Sequence, residues 1–112
     1  MFTEYEARTS PPADGAPGRS IIRVVDELDL DHVGALDAAL LAVLAEADGP
    51  TEIVIDLRNC SFCDSSGLSA LLRAREAGLR AGHRLTLAAP GHQMLRLLYL
   101  TDSAALFPIG SV

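Results

Sequence analysis

The stretch Ile53 to Ala81 constrains this chain most, because it fixes a strand, a junction and a helix in that order. Ile53-Val54-Ile55-Asp56-Leu57 is a short apolar, β-branched run of the kind that forms a buried strand. Leu68, Leu71, Leu72 and Leu79 recur at helical spacing, with Arg73, Glu76 and Arg80 on another face, so a helix follows. Residues 58–63 are expected to be the connecting loop. Asp64-Ser65-Ser66-Gly67 then falls where a strand's carboxyl end feeds a helix N-terminus. Backbone N–H groups are unpaired there, and negative charge is favoured.

Two readings fit the hydroxyls at that point. In one, Asp64 or Ser65 caps the helix. In the other, a serine of the first turn is held outward as a modification site, where a phosphate would meet the positive end of the helix dipole. Gly67 then leaves room beside the hydroxyls for another protein. A one-residue shift of the helix start exchanges the exposure of Ser65 and Ser66, so spacing alone does not choose between them.

The wider pattern favours the second reading. Ile53 to Leu57, Phe62 and Asp64-Ser65-Ser66-Gly67-Leu68 together resemble the STAS domain of the anti-sigma factor antagonists. Upstream, Glu27-Leu28-Asp29 is similar to that family's Glu-Leu-Asp after the second strand. Downstream, Leu106-Phe107-Pro108-Ile109 is similar to its C-terminal ending. The resemblance runs over nearly the whole chain. It implies a single STAS-like α/β domain over residues 1–112. Its phosphoacceptor would be Ser65, and its partner surface would include Asp29, Asp64, Ser65, Ser66, Gly67 and Leu68. The partner it implies is an anti-sigma factor that is also a serine kinase: the unmodified antagonist binds it and frees the sigma factor, and the phosphorylated form lets go. A phosphatase resets the cycle. The kinase brings ATP and magnesium, so no cofactor or metal is expected in this chain. Some stand-alone STAS proteins are instead non-switching scaffold subunits of stress-signalling or lipid-transport complexes, and that is the alternative. Where Asp26 stands the family has a glycine, so the local turn is expected to differ.

The rest of the chain reads as follows. Residues 2–8 are a candidate strand, and residues 9–19, rich in Pro and Gly, a loop. Residues 20–25 are a second strand. Asp26 to Asp31 is a solvated acidic turn in which Asp29 or Asp31 caps the next helix; it lacks the glycine and distal Glu of a calcium loop. Val33, Leu36, Leu40, Val43 and Ala47 predict a helix over 31–48, stopped by Gly49-Pro50. Gly82 ends the helix that begins near Ser65. Residues 84–89 are a strand, 92–100 a short helix, 101–105 a loop or one turn, and 106–109 a short edge strand. The expectation is a mixed four- to five-stranded sheet with three to four helices mainly on one face. Parallel strands would gather residues 26–31, 58–67 and Pro90-Gly91 at one edge, where open α/β sheets bind their ligands.

Composition narrows the function further. The 112 residues carry a net charge of −6, and all nine basic residues are arginine. No basic run or aromatic platform suggests direct binding of nucleic acid. The Arg-, Ala- and Gly-rich, Lys-free composition suggests a bacterial source. No apolar stretch approaches the roughly 20 residues of a membrane span, and no leader pattern opens the chain, so a cytoplasmic location is expected. Cys60 and Cys63 form C-x-x-C between a strand and a helix, the place of a redox pair. Cys63 falls before the helix dipole that would activate it, and both stand where the STAS pattern has apolar residues. His32, His83 and His92 are too scattered for a zinc site and are read as surface or cap residues. Ser65 lacks the preceding glycine of a nucleophile elbow, so catalysis is not expected.

Overall fold

A computed structural model describes residues 5–10 and 18–110. The elements in order are β1 (Glu6–Ser10), β2 (Gly18–Leu28), α1 (Val33–Glu46), β3 (Thr51–Cys63), α2 (Ser65–Arg80), β4 (Arg84–Ala88), α3 (His92–Leu100), a 3₁₀ turn (Ala104–Leu106) and β5 (Ile109–Gly110). They form one five-stranded sheet in the order β1-β2-β3-β4-β5. β1 runs antiparallel to β2, and the other three pairings are parallel. The fold is therefore the expected mixed α/β sheet with three helices.

Alternation along the strands sets the core. Ile22 and Val24 of β2, Ile53, Ile55 and Leu57 of β3, and Leu85 and Leu87 of β4 share one face and one cluster. Leu36, Leu40 and Val43 of α1, Leu68, Leu71 and Ala74 of α2, and Met94 and Leu98 of α3 complete that cluster, so all three helices serve the same core. β3 is central, and its Ile53-Val54-Ile55 reads as a continuous apolar run because Val54, on the opposite face, is buried as well. Asp56 is also fully buried there, and it is paired: its carboxylate accepts from the Arg58 backbone N–H at 3.0 Å and the Arg58 guanidinium at 3.2 Å. A buried carboxylate is tolerated only with such partners.

Several expectations need correction. Residues 58–63 are strand, not loop: β3 continues to Cys63 because β2 also continues, to Leu28, and the two tails pair as Val25–Asn59, Asp26–Cys60, Glu27–Phe62 and Leu28–Cys63. Two register shifts interrupt this pairing, which is why no period-two pattern marks it. Half of the acidic turn is thus strand. Neither Asp29 nor Asp31 caps α1 with its side chain; His32 occupies the cap position, and the Asp29 carbonyl accepts from the His32 and Val33 N–H groups at 3.0 Å each. The first strand is Glu6–Ser10, so Thr9 and Ser10 are not loop; residues 2–4 of the candidate strand and 11–17 of the candidate loop lie outside the described residues. His83 is buried, not a surface residue, and its Nδ1 accepts from the Thr51 N–H at 3.0 Å. Gly82 does end α2: with φ at +81° it closes a paired turn in which the His83 N–H reaches the Gly78 carbonyl and the Gly82 N–H that of Leu79.

Candidate functional site

The carboxyl ends of β2 and β3 meet at Leu28 and Cys63, and everything of interest lies within a few residues of that pair. The Asp64 N–H donates to the Leu28 carbonyl at 3.3 Å, so Asp29 and Asp64 leave the sheet side by side. The acidic turn and the serines therefore share one edge.

Asp64 is the cap of α2. Its backbone is extended, and its carboxylate accepts from the Gly67 N–H at 2.9 Å. Such a cap contributes about 1 kcal/mol to helix stability. Because Asp64 caps, Ser65 is the first residue of the helix, and its side chain is exposed; Ser66 is partly buried. The capping and modification readings are thus compatible: the aspartate does the capping and leaves the first serine outward. A helix N-terminus favours negative charge in its locality, although here the Gly67 N–H is already taken by the Asp64 carboxylate.

Gly67 and Leu68 do not belong to an exposed surface. Both are buried, and Leu68 is part of the core cluster. A Cβ on Gly67 would lie 2.1 Å from the Leu28 carbonyl oxygen and 2.7 Å from the Cys63 Sγ. The glycine is required by close approach of α2 to the end of β2, not by room for a partner.

Asp29 pairs with His32: the carboxylate and the ring Nδ1 share a short hydrogen bond. That bond holds the Asp29 carboxyl below its usual range and raises the His32 ring above its usual value. Asp26 adopts φ 62°, the left-handed region where glycine is at ease, and the Ser61 hydroxyl donates to its carbonyl at 2.8 Å. Aspartate is among the few residues that take this conformation without gross strain, so Asp26 can occupy a position that suits glycine.

The cysteines are not poised for redox chemistry. Cys63 is buried and burial pushes its thiol up to about 12; burial also raises Cys60. A reactive thiol is shifted the other way. Both are free and lie in the tail of β3.

Three features escaped sequence reasoning. Leu30 and Phe62 flank the junction with 71% and 44% of their surfaces exposed. Leu30 was hidden among four carboxylates, and Phe62 entered only as part of a pattern. The third is Gln93 of α3, whose side-chain amide pairs with the main chain of Cys63: Oε1 accepts from the Cys63 N–H at 2.9 Å and Nε2 donates to the Cys63 carbonyl at 2.7 Å. No spacing rule signals such a long-range bond. Among the described residues no group of His, Cys, Asp and Glu is arranged to hold a metal ion, and no helix is long and apolar enough to cross a membrane.

A five-stranded mixed sheet with its helices on one face, and an exposed serine where the central strand enters a helix, define a small α/β domain of the SpoIIAA-like fold. The family model described as "Mlab, STAS domain" matches residues 13–108, and the chain belongs to that STAS-domain family. Among solved structures, an anti-sigma factor antagonist from Mycobacterium paratuberculosis is similar at 28% identity and a TM-score of 0.69, over 100% of this chain and 92% of that one. A putative anti-sigma factor antagonist from Thermotoga maritima matches with a TM-score of 0.74 at 18% identity, covering 84% and 80%. The antagonist SpoIIAA in its unphosphorylated form matches with a TM-score of 0.58 at 22% identity, covering 96% and 88%. The last two show likeness of fold alone. No curated protein matches the chain.

Proposed function

We propose that this chain is an anti-sigma factor antagonist whose binding edge is switched by phosphorylation of Ser65. The observation that carries the reading is Ser65 itself: an exposed hydroxyl on the first residue of α2, beside a cap already supplied by Asp64. The partner is a serine-kinase anti-sigma factor, and a phosphatase restores the unmodified form. Asp29, Asp64, Ser65 and Ser66 rim the contact, and Leu30 and Phe62 offer the apolar surface that a tight complex covers. Gly67 and Leu68 support the edge from within.

Phosphate adds about −1.5 to −2 charges at neutral pH. On an exposed helix N-terminus that charge is favourable by roughly 0.3–1 kcal/mol, and the neighbouring Asp64 and acidic turn oppose it. The fold therefore changes little. In a close-packed interface the same charge is desolvated or repelled at a cost of several kcal/mol, and about 1.4 kcal/mol is already tenfold in affinity. The switch acts on the interface.

A second reading is a non-switching scaffold subunit of a stress-signalling or lipid-transport complex. One observation favours it: the matching family model is described as a Mlab STAS domain and not as an antagonist. The test is intact mass after incubation with candidate serine-kinase anti-sigma factors and Mg-ATP, for wild type, Ser65→Ala and Ser66→Ala. One added phosphate, lost only in Ser65→Ala, is expected. No phosphate on folded protein with any candidate moves the function to the scaffold reading.

A further inference from the structure

β3 loses its β4 neighbour early. The β3–β4 ladder ends at Asp56 and Ala88, while β3 runs on to Cys63. On the opposite flank the tail is paired with β2 up to Leu28. At Cys63 the place of the missing strand is taken by one side chain, Gln93, which satisfies both the N–H and the carbonyl of that residue. An amide has one donor and one acceptor side, so it can close a main-chain unit as a neighbouring strand would.

From this we infer that Gln93 is the positioning residue of the switch segment: it fixes Cys63, and through it Asp64 and Ser65, in the geometry a partner reads. The inference rests on the reading of Ser65 given above for its functional consequence, but not for its structural one. Three observations carry it. The clamped residue is the one immediately before the cap and two before Ser65. The remaining hold on this junction from the sheet side includes the Asp64 N–H to Leu28 carbonyl bond, which at 3.3 Å is the longer contact. Gln93 is also exposed, so its two bonds restrain a side chain that would otherwise be free in water, and they add nothing to the core. α3 is anchored independently by Met94 and Leu98 in the core cluster, so the clamp is not what keeps the helix in place. The first turn of α3 is thereby joined to the end of β3, one residue before the cap of α2. A partner that grips Ser65 reads a unit made of both.

The side-chain chemistry allows a graded test. Gln93→Ala removes both bonds. Gln93→Glu keeps the acceptor for the Cys63 N–H but turns the donor into a second carboxylate oxygen facing the Cys63 carbonyl. Two readouts are taken on each protein. Amide hydrogen exchange reports the junction without any partner: exchange of the bonded N–H groups of Cys63, Asp64 and Gly67 should quicken at least tenfold in Gln93→Ala and also in Gln93→Glu, with Ile53 to Leu57 unchanged. Phosphate transfer from the kinase that modifies wild type should then fall at least tenfold in kcat/KM in both variants. Unchanged exchange at Cys63, Asp64 and Gly67 in Gln93→Ala overturns the inference, and so does faster exchange spread equally over the central strand. Quickened exchange with unaltered phosphate transfer overturns its functional half. If wild type accepts no phosphate from any kinase, the reading of Ser65 fails by itself, and the exchange experiment still decides whether Gln93 holds the junction.

Discussion

Asp26 and Ala89 hold left-handed backbone conformations, with φ of 62° and 51°. For a residue with a Cβ that region costs roughly 1–2 kcal/mol, less for aspartate, whose short polar side chain tolerates it. Glycine removes the strain but loses more entropy on folding. Ala89→Gly is therefore expected to stabilise by about 0.5–1 kcal/mol and Asp26→Gly by about half that, read from denaturant midpoints; a loss of stability in both would show that these φ values are not a source of strain. Asp29 and His32 give a second expectation. The His32 ring is raised by its bond to Asp29, so its stabilising contribution is present below its usual pKa and is lost as pH rises through the raised value. Asp29 is lowered by the same bond, so its contribution is present above its usual pKa and is lost as pH falls through the lowered value. The pair contributes most in the mildly acidic window between them. An NMR titration should place His32 above 6.5 and return it towards that value in Asp29→Asn; no difference between the two proteins would remove the pair from the account.

At the scale of elements, the contact of α2 with the end of β2 is the tightest joint near the site. Gly67→Ala would drive a methyl group into the Leu28 carbonyl and the Cys63 sulfur, neither of which is the free end of a flexible chain. The expected cost is about 3 kcal/mol, measured by denaturation, because the helix must back away from the strand. A substitution that cost less than about 0.5 kcal/mol would mean that the helix start is looser than this geometry requires. The same joint shows what the sequence reveals and what it hides. Ile53 to Leu57, the Leu68–Leu71 repeat and Gly82 are local signals, and the strand, the helix and its end follow from them. α3 is read at its full extent, His92–Leu100, from its apolar spacing. The tails of β2 and β3 carry no such signal: Arg58, Asn59, Ser61 and Phe62 are exposed, no helix covers them, and register shifts break the alternation. Asp64 as cap was one of two local options, and only the bond to Gly67 decides it. The reason for Gly67 lies in Leu28, 39 positions away in the chain (67 − 28), and the hold on Cys63 lies in Gln93, so neither is visible to a local reading.

In the whole molecule, stability and the proposed switch lie in different places. Stability resides in a single core between the sheet and the helices, which Ser65 does not enter. The proposed switch lies at an acidic edge with two exposed apolar side chains, on a protein whose net charge is already −6. Charge complementarity then calls for a basic partner surface, and a further dianion at Ser65 would weaken the contact mainly by being desolvated within it. The most direct test compares the phosphorylated and unmodified proteins in two assays, calorimetric binding to the kinase that modifies Ser65 and thermal melting. The account predicts that phosphorylation lowers affinity at least a hundredfold, about 2.7 kcal/mol, while the melting temperature moves by no more than about 2 °C, the equivalent of roughly 0.5 kcal/mol. Equal affinity of the two forms, or a fall in melting temperature of about 10 °C accompanying the loss of binding, would contradict it.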